Sequence, residues 1–301
     1  MIGTKTRDTL AESIADAHSL APSSGRPGVL RALLAQRAGV AGLVIVSLMA
    51  LLAIAAPWIS PDDPTRVDAV RRLAPPSADA LLGTDNLGRD ILSRLLWGAR
   101  LSLGTAALAA LLILTIGVGL GMVAGFYGGI LDDLLMRIVD VLLAFPALIL
   151  ALAIAGILGP SITSVMIGIV TVAWADYARV MRGQVLAARE RQYVEAARAT
   201  GVRDLRILMR HLLPNVLPPI LVLASLEMGG LILAISGLSF LGLGAQPPTP
   251  EWGAMLNDGR AFIGAAPQLM IYPGLAISIV VVGFNLLGDG LRDAFDPHLR
   301  H

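Results

Sequence analysis

Few side chains in this sequence could carry out chemistry. The four histidines, His18, His211, His298 and His301, all fall outside the long apolar runs, and cysteine is absent. No Ser/His/Asp set, disulfide, thiolate metal site or histidine-held haem follows from that inventory. The single lysine, Lys5, stands near the start. A GxxxxGK[ST] phosphate loop is therefore missing, and the chain does not bind ATP by that device. What remains is a charged island, "RERQYVEAARATGVRDLRILMRHLLPN", Arg189 to Asn215, set between two apolar runs, and one carboxylate, Glu227, inside an apolar run. Such an island can dock a partner or fix topology; an intramembrane carboxylate can line a polar path or hold two helices together.

The elements that must position these residues are helices in lipid. Hydrophobic residues make up 55% of the chain and charged residues 15%, with a mean hydropathy of +0.74. Soluble domains carry about 25% charge. Apolar runs of about 20 residues, enough to cross a bilayer, recur about six times. The pattern predicts an all-α polytopic membrane protein with spans at about 39–59, 99–126, 137–158, 162–181, 216–243 and 271–287. Residues 1–38 form an N-terminal segment, 60–98 an outer loop and 292–301 a tail. The first run is read as an uncleaved anchor, since its lead-in and apolar core are too long for a signal peptide. Gly117, Gly121 and Gly125 recur every fourth residue on one helix face, a spacing that lets backbones approach closely in lipid. Pro146 predicts a kink. The net charge of +1 carries no nucleic-acid footprint. No internal repeat is apparent.

On a helical wheel, Arg203, Arg206 and Arg210 share one side of residues 202–213, and Leu205, Leu208 and Leu212 share the other. Gly201 divides this helix from "RERQYVEAARAT" and suits a left-handed turn. Pro214 follows. The island is thus a short helix, a glycine turn and an amphipathic helix leading into a span. Residue physics alone leaves two readings open: a basic loop that sets topology against lipid headgroups, or a helix that enters a protein groove.

"EAARATG" followed by "LLP" resembles the EAA loop of permease subunits of binding-protein-dependent, ATP-driven importers. Glu195, Ala196, Ala197 and Gly201 stand at the motif positions, and Leu213 and Pro214 at its end; His211 departs from the motif's aliphatic residue. "LLGTDNLGRDILSRLLWGARLSL", "RIVDVLLAFPALILAL", "GLSFLGLGAQPPTPEWGAML" and "FNLLGDGLRDAFDP" are similar to the dipeptide/oligopeptide/nickel permease family, second-subunit type, from roughly Ala38 onward. The resemblance implies a type I importer transmembrane fold over 99–291, with both termini and the coupling loop 189–214 cytoplasmic. It implies a non-catalytic subunit without cofactors, whose partners bind ATP and magnesium. Those partners would be a second permease, two ATP-binding subunits, an extracytoplasmic substrate-binding protein and membrane lipid. The loop would dock into an ATP-binding subunit through Glu195, Ala196, Ala197 and Gly201. We add Arg198, Arg203, Arg206 and Arg210 as charges that would pair with the acidic rim of that subunit's cleft or with lipid phosphate. Short peptides would be the cargo, with glutathione, nickel chelates or sugars as alternatives.

Other polar residues have plainer explanations beside their functional ones. Glu227 costs at least about 2.5–3.5 kcal/mol at a bilayer centre, so it should face the bundle or a wet cavity. Asp140, Asp176 and Arg179 sit near helix ends, where pairing or snorkelling is ordinary. Thr84, Asp85, Arg89, Asp90 and Arg94 make either a salt-bridged turn or a binding-protein contact. Pro247, Pro248, Pro250, Glu251 and Trp252 make a stiff loop with an interfacial tryptophan, either gate or lid. A self-sufficient secondary transporter, the rival of another class, calls for internal repeats and midplane charges.

Overall fold

The computed structural model describes residues 33–295. Most of the expected N-terminal segment and part of the tail lie outside the described residues. The helices are α1 (Arg37–Ile59), α2 (Ile91–Tyr127), α3 (Gly129–Leu143), α4 (Ala147–Leu158), α5 (Ile162–Arg189), α6 (Gln192–Ala199), α7 (Asp204–Phe240), α8 (Trp252–Arg260) and α9 (Gln268–Phe295). Among the described residues there is no strand; one isolated bridge joins Thr84 to Asp90. Helices α1, α2, α5, α7 and α9 are long and apolar enough to cross a membrane. The chain is all-α and polytopic, as its hydropathy predicts.

The third expected span, 137–158, is not a single kinked helix. It is the end of α3 and all of α4, which meet at 89° across residues 144–146. Pro146 has no N–H to continue the α3 ladder and disfavours helical backbone at Phe145, so α4 starts afresh with Pro146 at its N-cap. The other spans are longer than hydropathy suggests. Helix α2 begins at Ile91 rather than Ala99 because Asp90 caps it, accepting from both the amide and the hydroxyl of Ser93 at 2.7 Å. Helix α5 continues past Met181 to Arg189, and α7 begins at Asp204 rather than Val216. Pro214 does not stop α7, because it lies in the first turn after a wide π-turn over Ile207–Leu212, where its N–H is not needed.

Small residues set the packing. A Cβ built on Gly117 would lie 2.6 Å from the Tyr177 Cβ, and one on Gly125 would lie 2.9 Å from the Arg182 carbonyl oxygen. On Gly121 it would run into the backbone of Ala178. The glycine face of α2 therefore seats directly on the backbone of α5, with no room for a side chain. Helix α1 meets α9 in the same way, Gly39 against Gly290.

Helix α3 buries one of its carboxylates and exposes several of its apolar side chains. Asp132 is buried and takes a two-pronged ion pair from Arg182 on α5, at 2.5 and 2.6 Å, and Asp140 pairs with Arg179 at 2.5 Å. Ile130, Leu134, Ile138 and Val141 point outward and are exposed. The outward apolar side chains suit a lipid-facing surface, while Asp133, Arg137 and Asp140 are exposed beside them and Val139 is buried.

At the opposite end of the bundle, the segment before α2 is fastened to α8 by buried charges. Arg89 and Arg94 share Asp85 and Asp258, with Arg89 Nε to Asp85 Oδ2 at 2.6 Å and Arg89 Nη2 to Asp258 Oδ2 at 3.3 Å. Arg94 also donates to the Pro248 carbonyl at 3.3 Å. Thr84, Asp85, Arg89, Asp90 and Arg94 are all buried, so they form the salt-bridged turn and offer no side-chain surface for a partner. Trp252 is not interfacial. It is 1% exposed, donates its indole N–H to the Leu95 carbonyl at 3.1 Å, and follows Glu251, whose carboxylate caps α8 through the amides of Gly253 and Ala254.

Candidate functional site

The arginine island emerges from the end of the bundle where α2 finishes and α5 ends. Helix α6 turns Val194 and Ala197 inward and leaves Glu195, Ala196, Arg198 and Ala199 exposed. It stops at a glycine in the left-handed region, Gly201, φ +75°. The Gly201 amide donates to the Arg198 carbonyl at 2.9 Å and the Val202 amide to the Ala197 carbonyl at 3.1 Å. These paired bonds close the helix end as a Schellman turn. A Cβ at Gly201 would meet nothing within 4 Å, so glycine is required there by backbone angle and not by space.

After this turn the chain enters α7, whose Leu213 amide reaches back five residues to the Leu208 carbonyl. That π-turn changes the wheel. Ile207, Leu208 and Leu212 are buried together, whereas Leu205, expected on the apolar side, is 69% exposed. A wider turn brings residues i, i+1 and i+5 onto one face, which α-periodicity does not anticipate. Arg203, Arg206 and Arg210 are exposed, and among the described residues none has an ion-pair partner. Val194, Ala197, Ile207, Leu208 and Leu212 belong to the main core cluster, so the island is an extension of the bundle rather than a free loop.

Arg198 is engaged within the chain. Its guanidinium carbon lies 5.2 Å from the centre of the Phe126 ring at the end of α2. Arg189 also reaches that end, donating to the Gly125 carbonyl at 2.9 Å. Neither partnership was legible in the island's own periodicity, because Gly125 and Phe126 lie more than sixty residues earlier in the chain.

Glu227 lies on the wall of a cavity of about 690 Å³ between α2, α4, α5 and α7. It faces Tyr177 and Asp176 of α5. The rest of the lining is apolar, including Ile113, Leu148, Val172 and Leu231, and no basic residue contributes. Glu227 thus faces both a cavity and, across the helix contact, the Tyr177 hydroxyl. Asp176 is expected near a helix end, and Tyr177 carries no expectation; the signal is their adjacency in the otherwise apolar "VAWADYA".

The fold and the island together define a class: a helical membrane bundle with a short, rigidly capped helix presented at one end. The chain belongs to the family described as binding-protein-dependent transport system inner membrane component, whose model matches residues 117–301. Residues 28–76 match the N-terminal TM domain of oligopeptide transport permease C. The dipeptide transport system permease protein DppC of Alkalihalophilus pseudofirmus is 46% identical over 261 residues, 87% of this chain and 86% of the relative. The nickel transport system permease protein NikC of Escherichia coli is 46% identical over 257 residues, covering 85% and 93%. The glutathione transport system permease protein GsiD of Pectobacterium atrosepticum is 44% identical over 271 residues, 90% of each chain. This chain is thus a multi-pass inner-membrane permease with a type I importer transmembrane domain.

Proposed function

We propose that this chain is one half of a two-permease translocation pathway that imports short peptides, driven by two ATP-binding subunits and fed by an extracytoplasmic binding protein. It performs no hydrolysis and holds no cofactor of its own; ATP and magnesium belong to the partners. Helix α6 is the handle. Glu195, Ala196 and Arg198 with Gly201 present the docking end, and Arg203, Arg206 and Arg210 offer unpaired cations to an acidic rim. In this reading α6 and both termini face the cytoplasm, where ATP is.

The observation that carries the reading is the rigid capping of α6 against the core, since a floppy loop would dissipate the motion of a docked motor without biasing the helices. Closure of the ATP-binding subunits draws two such handles together and shifts the permease pair from inward- to outward-facing; hydrolysis resets it. The peptide assignment is supported by the cavity. Two carboxyl groups on an apolar wall suit a cargo that carries a free ammonium and apolar side chains, as a short peptide does.

The test is uptake in proteoliposomes holding the full complex, with labelled dipeptide, glutathione and nickel–histidine offered in parallel. ATP-dependent dipeptide uptake that needs the binding protein is the expected result. Preference for glutathione or nickel chelate would replace the cargo. Uptake by the chain alone, without ATP, would make it a secondary transporter and overturn the reading.

A further inference from the structure

Helix α6 has three attachments to the bundle, and two follow the chain. Its N-terminus continues from α5 across residues 190–191, and its C-terminus passes through Gly201 and the π-turn into α7. Through space it is held to the end of α2. Arg198 places its guanidinium 5.2 Å from the Phe126 ring centre. Phe126 is itself buried and packs edge-on against Tyr127 at 5.1 Å, which fixes the ring that receives the cation. Just before α6, Arg189 donates to the Gly125 carbonyl at 2.9 Å, meeting one of the carbonyls left open at a helix C-terminus. Both contacts land on consecutive residues of one helix end. That helix end is also where the glycine face of α2 lies directly on α5, with a Gly125 Cβ 2.9 Å from both the Arg182 carbonyl oxygen and the Val185 Cβ.

From this geometry we infer that Arg198 is a positioning residue, pinning α6 to α2 through Phe126, so that α6 drives α2 directly as well as its chain neighbours α5 and α7. The inference rests on the function proposed above and departs from it at one residue. Arg198 is taken out of the docking surface and given an internal task. The attachments differ. The route into α7 crosses a glycine turn and a π-turn, both places where backbone angles can change. The route into α5 is a two-residue link, and the Arg189 bond to Gly125 ties that end of α5 to α2. From α6 itself the route into α2 is the Arg198 cation on the Phe126 ring. A stroke applied to α6 then reaches α2 and α5 together, while α7 can rotate.

The experiment uses the complete complex in proteoliposomes and reads substrate moved per ATP hydrolysed, retention of the ATP-binding subunits on purification, and melting temperature in detergent. Variants are Arg198→Lys, Arg198→Gln, Phe126→Leu and the Arg198→Gln/Phe126→Leu double. The expected result is a three- to five-fold fall (roughly) in the transport-to-ATP ratio for Arg198→Gln and Phe126→Leu, with no further fall in the double. Arg198→Lys, still a cation, should keep an intermediate ratio. Subunit retention and melting of the Arg198 variants should match wild type, which a merely structural or a docking role would not allow. Loss of the ATP-binding subunits in Arg198→Gln overturns the pin and returns Arg198 to the docking surface. An unchanged ratio in Arg198→Gln overturns it outright, and the Arg198 series decides the matter even if Phe126→Leu fails to accumulate. Absence of ATP-driven uptake in the wild-type complex would defeat the proposed function and take the pin with it; wild-type ratios in active variants defeat the pin alone.

Discussion

Replacing Gly201 separates the backbone account of the α6 terminus from a merely spatial one. The residue holds φ +75°, and an added Cβ would touch nothing within 4 Å. Substitution therefore acts through conformation. A non-glycine residue in the left-handed region costs about 1–2 kcal/mol, a β-branched one more, and asparagine less because it tolerates that region. If the turn gives way instead, the 2.9 and 3.1 Å bonds from Gly201 and Val202 are lost, at about 0.5–1.5 kcal/mol each. Either route makes Gly201→Val cost about 2–3 kcal/mol of local order at the handle, enough to leave it in the wrong geometry for a large share of the time. Gly201→Ala should be intermediate and Gly201→Asn mildest, although asparagine is larger than alanine. The assay is ATP-driven uptake per ATP hydrolysed by the reconstituted complex, with permease abundance measured alongside. Alanine outperforming asparagine would show that size governs the site. A valine variant with normal uptake and abundance would refute the lever.

Gly121→Leu should prevent α2 from seating on α5, since its Cβ alone already runs into Ala178; the check is loss of accumulation or of detergent-stable protein. Arg182→Ala should strand the buried Asp132 carboxylate and lower stability by about 2–3 kcal/mol, read as a fall in melting temperature, with the Arg182→Ala/Asp132→Asn double recovering part of it. Trp252→Ala should cost about 3–5 kcal/mol through the cavity it leaves, plus the bond to Leu95, and the same melting assay would register it.

Much of this architecture was legible because hydropathy and glycine spacing are local signals. The "GVGLGMVAG" run announced a close helix contact, and it lies on α5. The turn at Gly201 was readable from one glycine between two helix-forming stretches. The Asp90 cap was present in "GRDILSR", but hydropathy alone started α2 too late, because a span's apolar core says little about the polar turns that extend it. The right-angle break at Pro146 exceeded what a proline kink implies, and the π-turn at 207–212 defeated a wheel drawn at 100° per residue. Partners remote in sequence were out of reach altogether. Nothing near Arg89 points to Asp258, and nothing near Arg198 points to Phe126. The cavity was foreseen from Glu227 as a need for water or a partner, while its second carboxylate was assigned to a helix end.

The buried carboxylate of α3 bears on how the protein is made. Arg182, the cation that neutralises Asp132, follows it by 50 residues. While the nascent chain grows, Asp132 has no such partner, and entering lipid unpaired is costly. The ion pair that seats α3 on α5 can form only once α5 has been synthesised.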